Sequence, residues 1–72
     1  MAWNHRVIRE DKEYGALYAI HEVYYEDGKP VGYTEKPLPP IGETLGELEF
    51  EIDRFKEAIK KPVLTEDDFD YE

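Results

Sequence analysis

The sequence predicts an α+β fold: a three-stranded antiparallel sheet packed by one C-terminal amphipathic helix, in the order β-β-β-α, with an acidic tail. Three observations carry this reading. Two β-prone runs flank the turn signal Asp27-Gly28, a Thr-x-x-Glu capping box begins at Thr44, and the apolar residues behind that box recur at helical spacing.

Residues 3–9 form a short β-prone run, followed by a polar break over 10–15. Residues 17–25 are dense in aromatic and β-branched side chains, the composition of a central strand. Glu26-Asp27-Gly28-Lys29 reads as a hairpin, because glycine supplies the positive φ that such turns need. Residues 31–35 return as a third strand. Pro30 cannot donate to a ladder and so places this strand at an edge. Pro37, Pro39 and Pro40 then impose an extended connector.

Thr44 and Glu47 cap a helix over 45–61, closed by Pro62. Leu45, Leu48, Ile52, Phe55 and Ile59 follow one another at intervals of 3, 4, 3 and 4 residues and form a single stripe, the expected packing face. Acids crowd the first half of this helix and Lys56, Lys60 and Lys61 the last turns, an order that complements the helix dipole.

One helix covers one sheet face. If Asp27-Gly28 closes a type I turn with a glycine bulge, Val23 lies opposite Val31 and His21 opposite Tyr33. Leu17, Ala19, His21, Val23, Val31 and Tyr33 then form the core face. Tyr18, Ile20, Glu22 and Tyr24 form the other, an aromatic surface suited to an interface. A two-residue turn instead slips the register by one and re-sorts the faces of the third strand.

The 72 residues make one domain, placed at 1–64, with 65–72 as an acidic, flexible tail. A chain this short buries only about 60% of the surface its unfolded form exposes. Without cysteine it has neither a disulfide nor a thiolate zinc ligand, which leaves an efficient core or a homodimer as sources of stability. The lack of cysteine, with no apolar leader run among the first residues, points to the cytoplasm. No stretch approaches the ~18 apolar residues of a membrane span.

The net charge is −9, and it is uneven. Residues 1–36 carry five bases and seven acids, whereas residues 37–72 carry four bases and eleven acids. No basic stripe matches a phosphate backbone, which argues against direct nucleic-acid binding. Solubility is the plainest use of such charge, and a basic protein partner is the functional one.

No catalytic, cofactor-binding or metal-binding constellation is expected. Serine and cysteine are absent, and no glycine-rich phosphate loop occurs. His5 and His21 are brought side by side if the first hairpin closes symmetrically near Glu13. A shared metal or an enzyme site at a dimer interface would still lack a third ligand at a diagnostic spacing. The sharper clue is Phe50. At about 100° per residue it points away from the apolar stripe, into a ring of Glu47, Asp53, Arg54 and Glu57. The partner-binding candidates are therefore Phe50, Glu47, Asp53 and Glu57 on the helix, with Tyr18 and Tyr24 on the sheet. Cover from Trp3, Phe69 or Tyr71 is the structural alternative for Phe50.

The stretch from Tyr18-Ala19-Ile20 through Pro39-Pro40-Ile41-Gly42-Glu43-Thr44-Leu45-Gly46-Glu47-Leu48 resembles HicB-like antitoxin domains, over roughly residues 17–60. That resemblance implies a hairpin, a Pro- and Gly-containing connector, one amphipathic helix and neutralisation of a small basic toxin. The separate DNA-binding segment of those proteins has no counterpart here, so the resemblance implies no autoregulatory DNA binding. The chain is also similar to small uncharacterised bacterial domains that begin Trp-Asn-x-Arg-Val-Ile-Arg and carry an Ile-His-Glu-Val-Tyr-Tyr strand, a likeness that implies no function. The expected function is a small acidic interaction module, adaptor or antitoxin-like. The alternative is a nucleic-acid-mimicking inhibitor whose carboxylates occupy a phosphate-binding groove.

Overall fold

A computed structural model describes residues 2–69. Three strands, β1 (Ala2–Lys12), β2 (Gly15–Glu26) and β3 (Lys29–Tyr33), form an antiparallel sheet in the order β1-β2-β3, and a helix, α1 (Leu45–Ile59), follows. The α+β architecture is the expected one, with β3 at an edge as Pro30 requires.

Both hairpins close differently from expectation. Glu13 and Tyr14 form a two-residue loop between Lys12 and Gly15, so β1 runs three residues beyond its predicted end. The register that follows pairs His5 with Glu22 and Arg6 with His21. Paired residues share a face and successive residues alternate, so His5 and His21 lie on opposite faces of the sheet. The side-by-side histidine pair does not form.

In the second hairpin, Asp27 and Gly28 both adopt positive φ, 51° and 78°, the backbone of a tight two-residue turn. Tyr25 pairs with Pro30 and Tyr24 with Gly32, leaving Val31 as the extra residue of a bulge. Val23 therefore faces Tyr33 rather than Val31. The slip is two residues, which preserves side-chain parity, so His21, Val23 and Tyr33 still share one face.

That face holds the core, and the C-terminal segment covers it. Ile8 and Val23 are fully buried and pack with Phe69, flanked by Tyr25, Tyr33 and Leu64. Leu64 joins the outer edge of β1: its N–H donates to the Val7 carbonyl (3.0 Å) and its carbonyl accepts from Arg9 N–H (2.8 Å). Arg6 ties the preceding turn down, donating to the Pro62 carbonyl (2.8 Å) and the Tyr25 hydroxyl (3.0 Å). A 3₁₀ turn over Glu66–Asp68 follows, in which Thr65 N–H donates to the Asp68 carboxylate at 2.8 Å. It delivers Phe69 to the Tyr33 ring, with centroids 4.8 Å apart. The segment expected as a solvated tail thus enters the core at Phe69, which is 7% exposed. Asp70, Tyr71 and Glu72, the rest of that expected tail, lie outside the described residues.

The helix takes the opposite face. Phe55 meets His5 edge-on at 5.4 Å, and Arg54 lies 5.8 Å from the Trp3 ring centroid. Both contacts are to side chains on the face of Trp3, His5 and Val7, which through the register is also the face of Tyr18, Ile20, Glu22 and Tyr24. The assignment of the helix to the Leu17–His21–Val23 face is corrected accordingly. Each face of the sheet carries its own cover, and His21 and Val23 keep their buried positions beneath the other one.

Thr44 caps α1 as predicted, its hydroxyl accepting from Glu47 N–H at 3.1 Å, while Lys60 forms the C-cap. Gly42 permits the close approach of the chain to this first turn, since a Cβ there would stand 2.5 Å from the Leu48 nitrogen. The apolar stripe is divided. Leu48 and Phe55 are half-buried and Ala58 is buried, whereas Leu45, Ile52 and Ile59 are exposed. The packing face is centred between Leu48, Glu51, Phe55 and Ala58, about a sixth of a turn away from the centre of the five-residue stripe.

Candidate functional site

Phe50 stands on the outer side of α1 and is 64% exposed. Glu47, Asp53 and Glu57 around it are also exposed. None of the expected covers reaches it from within the described residues. Trp3 packs against His5 (5.6 Å) and beneath Arg54, and Phe69 is buried on the other side of the sheet. Tyr71 lies outside the described residues.

The charges in this ring are differently engaged. Glu57 accepts a hydrogen bond from Lys60 at 2.8 Å, and that ammonium holds its carboxyl below the ordinary carboxylate value. Glu47 belongs to the cap, its carboxylate 3.5 Å from the Thr44 hydroxyl. The nearby cation, Arg54, is drawn over the Trp3 ring. The surroundings of Phe50 consequently stay acidic, an aromatic ring with carboxylates on both sides along the helix.

Tyr18 and Tyr24 lie on one face of β2, six residues and so about 20 Å apart. Tyr18 is 59% exposed, while Tyr24 is half-buried and donates its hydroxyl proton to Glu22 at 2.9 Å. That hydrogen bond to a carboxylate raises the Tyr24 phenol above its usual value. The two tyrosines share the helix-bearing face and flank the row Ile20–Glu22 at its two ends. They do not gather with Phe50 into one patch: Phe50 points away from the sheet that carries them.

Both histidines pack against aromatic rings in this arrangement. His21 is fully buried, with Nδ1 2.9 Å from the Thr34 carbonyl and its ring edge-on to Tyr33 at 5.2 Å. His5 is buried between Trp3 and Phe55. Burial is the main reason its imidazole titrates below the usual value; the Arg54 charge adds to this, and Glu51 and Glu22 oppose it. Among the described residues no three histidine, aspartate or glutamate side chains lie together as a metal site. No helix of the described residues is long and apolar enough to cross a membrane.

Two surface features escaped the sequence reading. One is the half-exposed Trp3 with Arg54 stacked on it, which depends on where a remote helix lands. The other is the exposed row Leu45, Ile52 and Ile59. Ala58 was its available signal: a small residue beside an apolar stripe marks where a helix approaches its neighbour most closely, and here shifts the packing face away from the row.

No protein-family model, no curated protein and no solved structure matches this chain.

Proposed function

We propose that this chain is a small acidic protein-interaction module that binds a basic protein partner through the helix face around Phe50. The observation carrying this reading is the exposed phenylalanine set among Glu47, Asp53 and Glu57, with the neighbouring arginine occupied elsewhere. An aromatic anchor within a charged rim is the anatomy of an interface hot spot. The carboxylates steer a cationic surface toward it, and the ring supplies the apolar burial that holds it. An antitoxin-like role, capture of a small basic protein in the cytoplasm, suits the −9 charge and the HicB-like pattern. Tyr18 and Tyr24 offer a second contact surface on the sheet.

The test is affinity capture from native lysate with the intact chain, Phe50→Ala, and a charge-reversed Glu47/Asp53/Glu57 variant, at low and high salt. The reading predicts one basic protein retained by the intact chain at low salt, released at high salt, and lost with both variants. Retention that both variants leave unchanged contradicts the helix-face assignment. The same bait separates the nucleic-acid-mimic reading, favoured by the excess of eleven acids over four bases in residues 37–72. A mimic is displaced by added DNA or RNA, whereas an adaptor or antitoxin-like module is not.

A further inference from the structure

The row Leu45, Ile52 and Ile59 lies on one flank of α1, separate from the face packed on the sheet and from Phe50. These side chains are 72%, 39% and 64% exposed. They are spaced seven residues apart, the repeat with which helices present a seam to another helix, and they span about 21 Å of helix. Between them on the same flank stand Glu49 and Lys56, both exposed. The flank therefore reads apolar, acidic, apolar, basic, apolar.

That order is self-complementary. We infer that α1 pairs, antiparallel, with α1 of a second copy of this chain across a two-fold axis at Ile52. The axis sets Leu45 of each copy against Ile59 of the other and Ile52 against itself. Glu49 of one copy falls within one residue of Lys56 of the other, and the symmetry makes that pair twice. The wider charge distribution favours the same orientation. Glu47, Glu49, Glu51 and Asp53 occupy the first half of the helix; the second half carries Arg54 and Lys56 with the single acid Glu57, and Lys60 and Lys61 follow its last residue. Antiparallel pairing lays the acidic half on the basic half and opposes the two helix dipoles, whereas parallel pairing stacks acids on acids. A foreign apolar segment would use the row but not the mirrored charges, which is why the second copy is the occupant.

Association is weak. One helix flank buries less than the roughly 1,200 Å² of a standard interface, and each chain brings a charge of −9. At physiological salt the screening length is about 8 Å, so the distant repulsion is damped while the contact pairs persist. The dimer belongs in the micromolar-to-millimolar range. This inference does not rest on the basic-partner reading, because Phe50 lies about 160° around the helix from Ile52.

Sedimentation equilibrium of the intact chain over a wide concentration range tests it. The expected result is a mass that rises from one chain toward two. Ile52→Asp, which sets two carboxylates face to face on the axis, is expected to remain one chain at every concentration with an unchanged helical circular dichroism signal. Glu49→Lys and Lys56→Glu each loosen association roughly tenfold, by converting both symmetry-related pairs to like charges. The double exchange restores it, and neither reversal touches the packed face. Phe50→Ala leaves it unchanged. A chain that stays monomeric throughout, a dimer indifferent to Ile52→Asp, or a double exchange no better than the single reversals overturns the inference. Loss of association in Phe50→Ala would overturn it too, by moving the self-contact to the other side of the helix.

Discussion

On one face of the sheet, Ile8, His21 and Val23 are closed off from solvent beneath Phe69, Tyr33 and Leu64. On the other, α1 lies over β1 through Leu48, Phe55 and Ala58 and leaves Leu45, Ile52 and Ile59 in water. The shorter cover seals the better face. Leu64 is fixed to the β1 edge by two backbone hydrogen bonds and Arg6 holds the turn before it, so the aromatic ring that follows arrives at a set position. The helix has a longer apolar stripe than its side of the sheet accommodates. One face therefore supplies stability and the other supplies surface.

Substitutions that attack the sealed face sharpen this contrast most. Ile8→Ala removes a fully buried side chain from the centre of that cluster and is expected to cost about 2–5 kcal/mol, read as a lower urea midpoint. For a domain of this size that loss approaches the whole stability. The helix-bearing face responds less. Thr44→Ala removes the acceptor for Glu47 N–H and is expected to cost about 1 kcal/mol by the same measurement. A cost equal to that of Ile8→Ala would mean the helix is as deeply built into the fold as the core cluster.

The His5 imidazole provides a pH probe of the helix side, between β1 and Phe55. Its folded value lies below the unfolded value of 6.5, so the unfolded chain binds the proton more readily. The contribution is present in full above pH 6.5 and is lost as pH falls from there through the folded value. Urea midpoints at about pH 7.5 and about pH 5.5 are expected to differ for the intact chain, and that part of the difference to vanish in His5→Gln. An unaltered pH response in His5→Gln would place the titrating group elsewhere.

Local features were legible in the sequence and remote ones were not. The cap at Thr44, the helix behind it and the outward direction of Phe50 depend only on helical phase, and all three hold. The edge position of β3 followed from Pro30. The first hairpin was misplaced because the charged run Glu10-Asp11-Lys12-Glu13 leads into Tyr14 and Gly15 without fixing which pair forms the loop, and that one-residue error sent His5 and His21 to opposite faces. The second hairpin erred by an even number, so its faces survived. Burial of Phe69 was illegible because its partners, Ile8, Val23 and Tyr33, are all distant in sequence, while its neighbours are acids that read as solvated. Of the site residues, those on the helix were placed correctly at the surface. Tyr18 and Tyr24 shared a face as expected, but it was the face the helix occupies.

Phe50 and Phe69 make the most direct comparison, one residue type on the two sides of the molecule. Urea denaturation of Phe69→Ala and Phe50→Ala, side by side with the intact chain, tests whether stability resides in the sealed face. The account predicts a loss of about 3–5 kcal/mol for Phe69→Ala. For Phe50→Ala it predicts a change within about 0.5 kcal/mol, as for other exposed positions. Equal losses, or a Phe69→Ala chain as stable as the parent, would contradict it.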